Sequence, residues 1–291
     1  YGFDCSNNLI TNLDKAPTPL TLEGSGLKTT TSNYNIEKNP IKQFPISFDG
    51  VSYEGIVNPV HKSPQCQQAL RTARATAIKI LKPIKSFRVV SEQDLYEKVK
   101  AVSWENYLKS SGSLAIDATV HSHIFTHSQY IALKTKDAIV DRFREKSGER
   151  PNVDLRFPDL KINIHIDRQL CTLSLDSSGE SLHKRGYKTA TNIAPINEVL
   201  AAGLILLSDW DGQSNFMDPM CGSGTILIEA AMIACNIPPN LMRKEFAFER
   251  WQDWDVELFE KIEESLLSKT RDFHHKILGY DKSPSAVRKA Q

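Results

Sequence analysis

Phe216-Met217-Asp218-Pro219-Met220-Cys221-Gly222-Ser223-Gly224-Thr225 runs directly into Ile226-Leu227-Ile228-Glu229-Ala230-Ala231-Met232-Ile233-Ala234. The order is an apolar strand, an acidic residue at its end, a tight glycine turn and an apolar helix. Glycines at such a turn let backbone curl closely around a ligand where a side chain would clash. The helix that follows offers unpaired N–H groups and a positive dipole end, which suits an anionic group such as a carboxylate. A Walker loop would close on Gly-Lys-Ser/Thr, and no lysine stands here. A dinucleotide fingerprint G-x-G-x-x-G would need a third glycine where Leu227 stands. A turn that merely joins strand to helix is the alternative that needs no ligand.

Working outward, 291 residues imply about two domains. A chain 40% hydrophobic and 24% charged is ordinary for a soluble globular protein. No apolar run approaches the roughly 20 residues that span a bilayer, and no signal peptide opens the chain. Cys5, Cys66, Cys171, Cys221 and Cys235 are scattered, odd in number and without a C-x-x-C pair, so reduced thiols in a cytoplasmic protein are expected. The chain opens on Tyr1 without methionine and stops at Gln291 inside an apparent helix, which reads as a fragment.

Residues 1–65 are rich in Thr, Ser, Asn, Pro and Gly and carry no assignable function; a short strand is expected at 44–48 or 51–56. From Gln67, Ala69, Leu70, Ala73, Ala77 and Ile80 fall at helical spacing, ended by Pro83. Ser91-Glu92-Gln93-Asp94 resembles a capping box before the apolar stripe Leu95, Val99, Val102. Alternation over 114–120 predicts a strand, and 128–146 a long amphipathic helix with Leu133, Ile139, Val140 and Phe143 inward, closed by Gly148. Ile162, Ile164 and Ile166, then Leu173 and Leu175, predict a hairpin turning at 167–169. Helix, helix, strand, helix, strand, strand describes a compact α+β domain over 66–176.

From Val60 to Leu170 the chain carries 19 Lys and Arg against 12 Asp and Glu, a surplus of 7 hidden in a net charge of +1. A basic domain is the footprint of phosphate-backbone binding, although a solvated surface gives the same count. Lys134, Lys136 and Arg142 on the long helix are candidate RNA contacts. Asp176-Ser177-Ser178-Gly179-Glu180-Ser181-Leu182-His183-Lys184-Arg185-Gly186-Tyr187 then links the two parts and sets three potential cations in succession. Lys184 and Arg185 either touch RNA phosphate or shape a cofactor pocket; an exposed basic linker is the plain alternative.

Asp218-Pro219-Met220-Cys221-Gly222-Ser223-Gly224-Thr225 resembles motif I of S-adenosylmethionine (SAM)-dependent methyltransferases, specifically the RNA N2-guanine group. Leu70-Arg71-Thr72-Ala73, Ile80-Leu81-Lys82-Pro83, Asp94-Leu95-Tyr96, Ser128-Gln129-Tyr130, Lys136-Asp137-Ala138-Ile139-Val140-Asp141 and Arg150-Pro151-Asn152-Val153-Asp154 resemble the THUMP domain of bacterial 23S rRNA guanine-N2 methyltransferases of the RlmL kind. The resemblance runs from about Gln67 to Gln291. It implies an α+β THUMP domain that binds RNA, followed over 177–291 by a linker and an α/β Rossmann-like SAM-dependent methyltransferase domain, incomplete here. It also implies SAM as cofactor, 23S rRNA as partner, and neither metal nor membrane. The implied cofactor contacts are Asp218, Pro219, Cys221, Gly222, Ser223, Gly224 and Thr225, with Ala194 and Pro195 opening the preceding helix. That helix is expected to turn Val199, Leu200, Gly203, Leu204 and Leu207 inward. Lys276-Ile277-Leu278-Gly279-Tyr280-Asp281 reads as a second strand, and Asp281 is the implied partner of the ribose hydroxyls because a carboxylate accepts from both.

Other constellations carry less. Phe246, Phe248, Trp251 and Trp254 invite base stacking, but packing of this segment against the domain is the stronger expectation. A helix is expected from about 255 to 273. His121, His123 and His127 lack a cysteine or carboxylate in metal-ligand spacing. Nothing near Cys221 would activate it as a nucleophile. Ile237-Pro238-Pro239-Asn240 holds the sole Pro-Pro pair, with the amide and aromatic of the family's Asn/Asp-Pro-Pro-aromatic tetrad on neither required side. Catalytic residues are therefore not assigned. Two readings follow: an rRNA guanine-N2 methyltransferase, inactive over these residues alone, or a non-catalytic THUMP module with an inert partial methyltransferase domain.

Overall fold

The computed structural model describes residues 74–188 and 195–290, with two short antiparallel strands, β1 (Ser47–Phe48) and β2 (Val51–Ser52). Ala69, Leu70, Ala73 and most of the segment expected to open the first domain lie outside the described residues, as does Ala194.

Helix gives way to strand earlier than the spacing predicts. Residues 74–76 are helical, Ala77 is not, and β3 (Leu81–Arg88) begins before Pro83 instead of a helix ending there. Proline has no N–H to give a ladder, so within sheets it is tolerated at edges and bulges. β3 is an edge strand, and its register shifts between Pro83 and Lys85. Tertiary pairing has overridden a helical pattern here.

A five-stranded sheet follows in the order β3-β7-β6-β4-β5, with β4 (Ser113–His121), β5 (Asn152–Val153), β6 (Leu160–Asp167) and β7 (Leu170–Asp176). β4 runs parallel to β5 and β6, while β7 is antiparallel to both β6 and β3. Ile162, Ile164 and Ile166 pair with Leu175, Leu173 and Cys171, so one face of the hairpin is wholly apolar and buried. Burial pushes the Cys171 thiol up to about 12. Helices α1 (Glu92–Lys100) and α2 (Ser128–Ser147) bring Leu95, Val99, Ile131, Ile139 and Phe143 into the same core. Ser91 caps α1 by accepting the Asp94 N–H at 3.1 Å, and Gly148, at φ 74°, closes α2 in the left-handed conformation that only glycine adopts freely. Leu133 is exposed, against expectation, and Ile131 is one of the side chains that α2 turns inward instead.

The second part contains α3 (Glu198–Leu207), β8 (Phe216–Asp218), α4 (Thr225–Ala234), α5 (Val256–Leu267), β9 (Ile277–Gly279) and α6 (Pro284–Ala290). β8 and β9 pair in parallel. α5 is capped by Asp255 and ends at Leu267, six residues before the expected Phe273. α3 buries Val199, Ala201, Ala202 and Ile205, leaving Leu200, Leu204 and Leu207 exposed. The expected face is thus largely the outer one. A helix apolar all round has no periodicity to tell its faces apart.

The aromatic segment packs as expected, and it packs across the junction. Phe248 and Trp251 belong to the same buried cluster as Ile162, Ile164 and Leu175, and the Phe248 N–H donates to Ser177 O at 3.2 Å. Phe246 stacks on Phe248 with centroids 5.1 Å apart, and the Lys82 ammonium lies 5.3 Å from the Trp251 ring. A shared core makes the two halves one cooperative unit. Phe248→Ala should therefore cost about 3–5 kcal/mol in a single urea transition followed by circular dichroism and tryptophan emission. Trp251→Phe should cost less than Phe248→Ala, because it keeps an aromatic ring in the core and removes an indole N–H that is buried without a hydrogen-bond partner. Two separate transitions, with the five-stranded sheet insensitive to Phe248→Ala, would refute the shared core.

Candidate cofactor site and its junction

β8 delivers Asp218 to the start of the glycine turn, where its two oxygens meet different surroundings. Oδ1 accepts the Met220 N–H at 2.9 Å, while Oδ2 is buried without a hydrogen-bond partner. A buried carboxylate oxygen left unpaired is costly unless something fills the place. Gly222 and Gly224 take φ of 55° and 81°, so the turn needs residues free of the Cβ penalty. Asp281 reaches the same turn from the end of β9: Oδ2 accepts the Gly222 N–H at 3.0 Å and Oδ1 the Ser283 N–H at 2.7 Å. Each of these oxygens retains a lone pair. Reciprocal backbone bonds, Cys221 N–H to Tyr280 O at 2.8 Å and Tyr280 N–H to Asp218 O at 2.9 Å, clamp the two strand ends together.

Gly279 is what allows that approach. A Cβ on it would overlap the Leu227 side chain and come within 3.0 Å of Cys221 Sγ. Cys221 is buried between two carboxylates; burial first, then the charges of Asp218 and Asp281, push its thiol up. It is a packed thiol, not a nucleophile. Ser223 and Thr225 are buried beside it, Pro219 is exposed, and Gly224 is the N-cap of α4, which has no side-chain cap. Ala290, in the last turn of α6, lies over Gly224. Pro195 is exposed and does not open a helix; Asn197 does, accepting from the Val199 and Leu200 N–H groups at 2.9 and 3.2 Å. The first helical residue, Glu198, pairs with Lys188 at 2.7 Å.

The three successive cations of the linker separate completely. Lys184 is exposed and pairs with Glu180 at 2.8 Å; His183 Nδ1 meets Ser181 Oγ at 2.8 Å. Arg185 is 1% exposed and faces Glu229 of α4, itself 1% exposed, at 3.3 Å. Its guanidinium also donates to Leu182 O at 3.1 Å and to Ala75 O. This geometry takes Arg185 away from any RNA phosphate and makes it a buried tie behind the glycine turn. The Tyr187 hydroxyl donates to Glu229 Oε1 at 3.1 Å. Burial pushes the Glu229 carboxyl up, and Arg185 opposes that shift.

Sequence reasoning missed Arg243. Its guanidinium gathers the linker carbonyls of Ser178, Glu180 and Ser181 at 2.9, 2.8 and 3.1 Å. Gly186, at φ 94°, passes so close to the Met242 carbonyl that no Cβ would fit. An arginine in an irregular stretch gives no signal of this in sequence. The nominated α2 cations are also engaged: Arg142 binds Glu105 with two N–H groups at 2.9 Å each, Lys136 pairs with Asp137 at 2.9 Å, and Lys134 lies 5.2 Å from the Tyr96 ring. His121 packs edge-on against His165 at 5.9 Å, and among the described residues no group of His, Cys, Asp and Glu could hold a metal. Among the same residues no helix is long and apolar enough to cross a membrane.

A strand, a carboxylate, a glycine turn and a helix, with a second acidic strand end beside them, define a methyltransferase-type nucleotide fold carried behind an α+β domain. Comparison with known families agrees. Residues 89–176 match the THUMP domain family, and residues 185–291 match the family described as RMKL-like, methyltransferase domain. The chain thus carries a THUMP domain and a methyltransferase domain of the RMKL-like family. It is 40% identical over 222 residues to the ribosomal RNA large subunit methyltransferase K/L of Syntrophotalea carbinolica, covering 74% of this chain and 31% of that protein. The same enzyme of Cellvibrio japonicus is 41% identical over 231 residues, covering 74% and 30%. The chain therefore spans about a third of the length of these curated relatives. A Listeria monocytogenes crystal structure described as a predicted N6-adenine-specific DNA methylase superposes with TM-score 0.66 at 31% identity, covering 77% of this chain and 60% of that one. SMU.472, solved in complex with SAH, gives TM-score 0.62 at 31% identity with the same coverages.

Removing one partner of the buried tie should be expensive. Arg185→Met leaves Glu229 unpaired and should cost about 3–5 kcal/mol; Glu229→Leu should do likewise. The double variant should lose clearly less than the sum of the two. Urea titration of all four proteins checks this, and strict additivity would show that the two groups are not coupled.

Proposed function

We propose that this chain belongs to a SAM-dependent RNA methyltransferase that modifies guanine N2 in 23S rRNA. The observation that carries the cofactor half is the buried, unpartnered Asp218 Oδ2 at the glycine turn. The turn fits SAM by its donor set: a free carboxylate oxygen for an amino group, a backbone without side chains for close approach, and a second carboxylate for vicinal hydroxyls. SAM, when bound, supplies an electrophilic methyl group on a sulfonium. The residues of this chain bind and orient: Asp218 takes the amino end, the turn from Cys221 to Thr225 lies against the carboxylate end, and Asp281 accepts from the ribose. The solved relative with SAH supports the same ligand class.

The RNA half rests on the THUMP domain, on the K/L relatives and on the basic surplus of the first part. Lys134, Lys136 and Lys184 are the nominated cations nearest to solvent, each able to exchange its present partner for phosphate. Guanine N2 as acceptor follows from the motif I resemblance. Transfer itself is mostly a matter of holding two reactants in line, and the Asn/Asp-Pro-Pro-aromatic tetrad that would orient the base is absent from these residues. On this reading the polypeptide binds SAM and RNA without transferring methyl. A wholly non-catalytic RNA-binding module is the second reading, and the unpartnered Asp218 oxygen disfavours it.

Calorimetry with SAM tests the cofactor half. Saturable binding should weaken roughly 10- to 100-fold in Asp281→Ala, as expected for losing hydrogen bonds to a charged group. Absence of binding to the folded wild-type chain would reduce the glycine turn to a connector. Incubation with methyl-labelled SAM and 23S rRNA should leave the RNA unlabelled; label incorporated by these residues alone would place the base-orienting groups inside them.

A further inference from the structure

The loop joining β5 to β6 displays large apolar side chains to solvent. Leu155 is 79% exposed and Phe157 is 64% exposed, the most exposed aromatic ring among the described residues. Both are held there by a built turn. Asp154 Oδ1 accepts the N–H groups of Arg156 and Phe157 at 2.8 and 3.1 Å, and the Asp154 N–H donates to Leu114 O at 3.2 Å. Pro151 and Pro158 are buried at the two ends. The carboxyl of Asp154 is held below the usual range, first by the Phe157 N–H and then by the Arg156 N–H, with the charges of Arg156 and Arg250 adding to it.

Two cations precede this ring in the chain, Arg156 next to it in sequence and Arg150 just ahead of β5. Arg150 and Arg156 are exposed and form no ion pair among the described residues, unlike Lys136, Arg142, Arg144 and Lys146 on the neighbouring helix. The loop also lies at the end of the sheet from which the linker leaves. Leu114 pairs with Leu160 at the end of the sheet that carries Asp176 and the linker, and Arg250, whose charge reaches Asp154, comes from the second half. An exposed aromatic ring on a loop with exposed arginines that form no ion pair among the described residues has the chemistry of a stacking surface for an unpaired base, with cations available to its phosphates.

We propose that Leu155, Arg156 and Phe157 form a platform on which one unpaired nucleotide of RNA stacks beside the methyltransferase domain, with Arg150 and Arg156 meeting its phosphates. The inference rests on the RNA-binding reading above. It differs from that reading in naming single-stranded RNA and in placing the contact on this loop instead of on α2.

Fluorescence anisotropy of the full chain tests it with two probes, a stem-loop RNA and a blunt RNA duplex of equal length. Phe157→Ala should weaken stem-loop binding about tenfold or more and leave duplex binding unchanged. Phe157→Trp should keep the stem-loop affinity, and its added emission should be quenched by the stem-loop only. Arg156→Gln should weaken both probes and lower the salt slope by about one. Wild-type binding that Phe157→Ala leaves intact for the stem-loop overturns the platform while sparing the RNA-binding reading. A wild type that binds SAM but neither RNA overturns both the platform and the RNA half of that reading. If Phe157→Ala instead abolishes self-association in sedimentation without touching RNA affinity, the patch joins copies of the chain and the platform is overturned.

Discussion

A guanidinium and a carboxylate, both withdrawn from water, meet where the linker passes behind the helix of the glycine turn. Burying either ion alone would cost several kcal/mol. The arrangement holds because Arg185 spends its donors on Glu229, Leu182 O and Ala75 O, and Glu229 takes a further bond from the Tyr187 hydroxyl. Three stretches far apart in sequence must therefore stay in place together: the entry to the first domain, the linker, and the second turn of α4. Since Gly224 of the turn is the N-cap of α4, whatever fixes Glu229 also fixes the turn that carries the Asp218 oxygen. Arg243 closes the arrangement from outside by holding the linker carbonyls.

Charge in this protein has to be read after pairing, not before. The 7 surplus positive charges counted from Val60 to Leu170 suggest a diffuse basic surface. In the fold, Lys79 and Lys161 both face Asp117, Lys82 faces Asp253, and Arg142 and Lys146 converge on Glu105. The carboxyl of Glu105 is held far below its ordinary value, first by the Arg142 hydrogen bonds and further by Lys146. Much of the positive charge is thereby satisfied locally. Attraction to phosphate then falls more heavily on side chains without an acid nearby, which a linear count does not distinguish.

How much was legible in the sequence follows from how local each signal is. The strand, glycine turn and helix around Asp218 are decided by neighbouring residues, and so are the Gly148 helix stop, the Ser91 cap and the alternating isoleucines of β6. Those readings agree with the structure. Pro83 misled because its tolerance depends on whether a strand lies at an edge, which is a property of the whole sheet. Leu200, Leu204 and Leu207 misled because α3 is apolar on every side, so only its neighbours decide which face turns in. Arg185 and Lys184 are adjacent in sequence and opposite in fate. Nothing in their chemistry separates them until Glu229 arrives from 44 residues away.

The aromatic segment that follows α4 has a consequence for reach. Phe248 and Trp251 are seated in the same cluster as the sheet of the first domain, so the two halves cannot pivot about the linker without drawing rings out into water. The span between the surface of one half and the Asp218 oxygen of the other is a constant of the fold. The molecule is a caliper with its jaws already set: the spacing between the outer surface of the first half and the glycine turn of the second is built in.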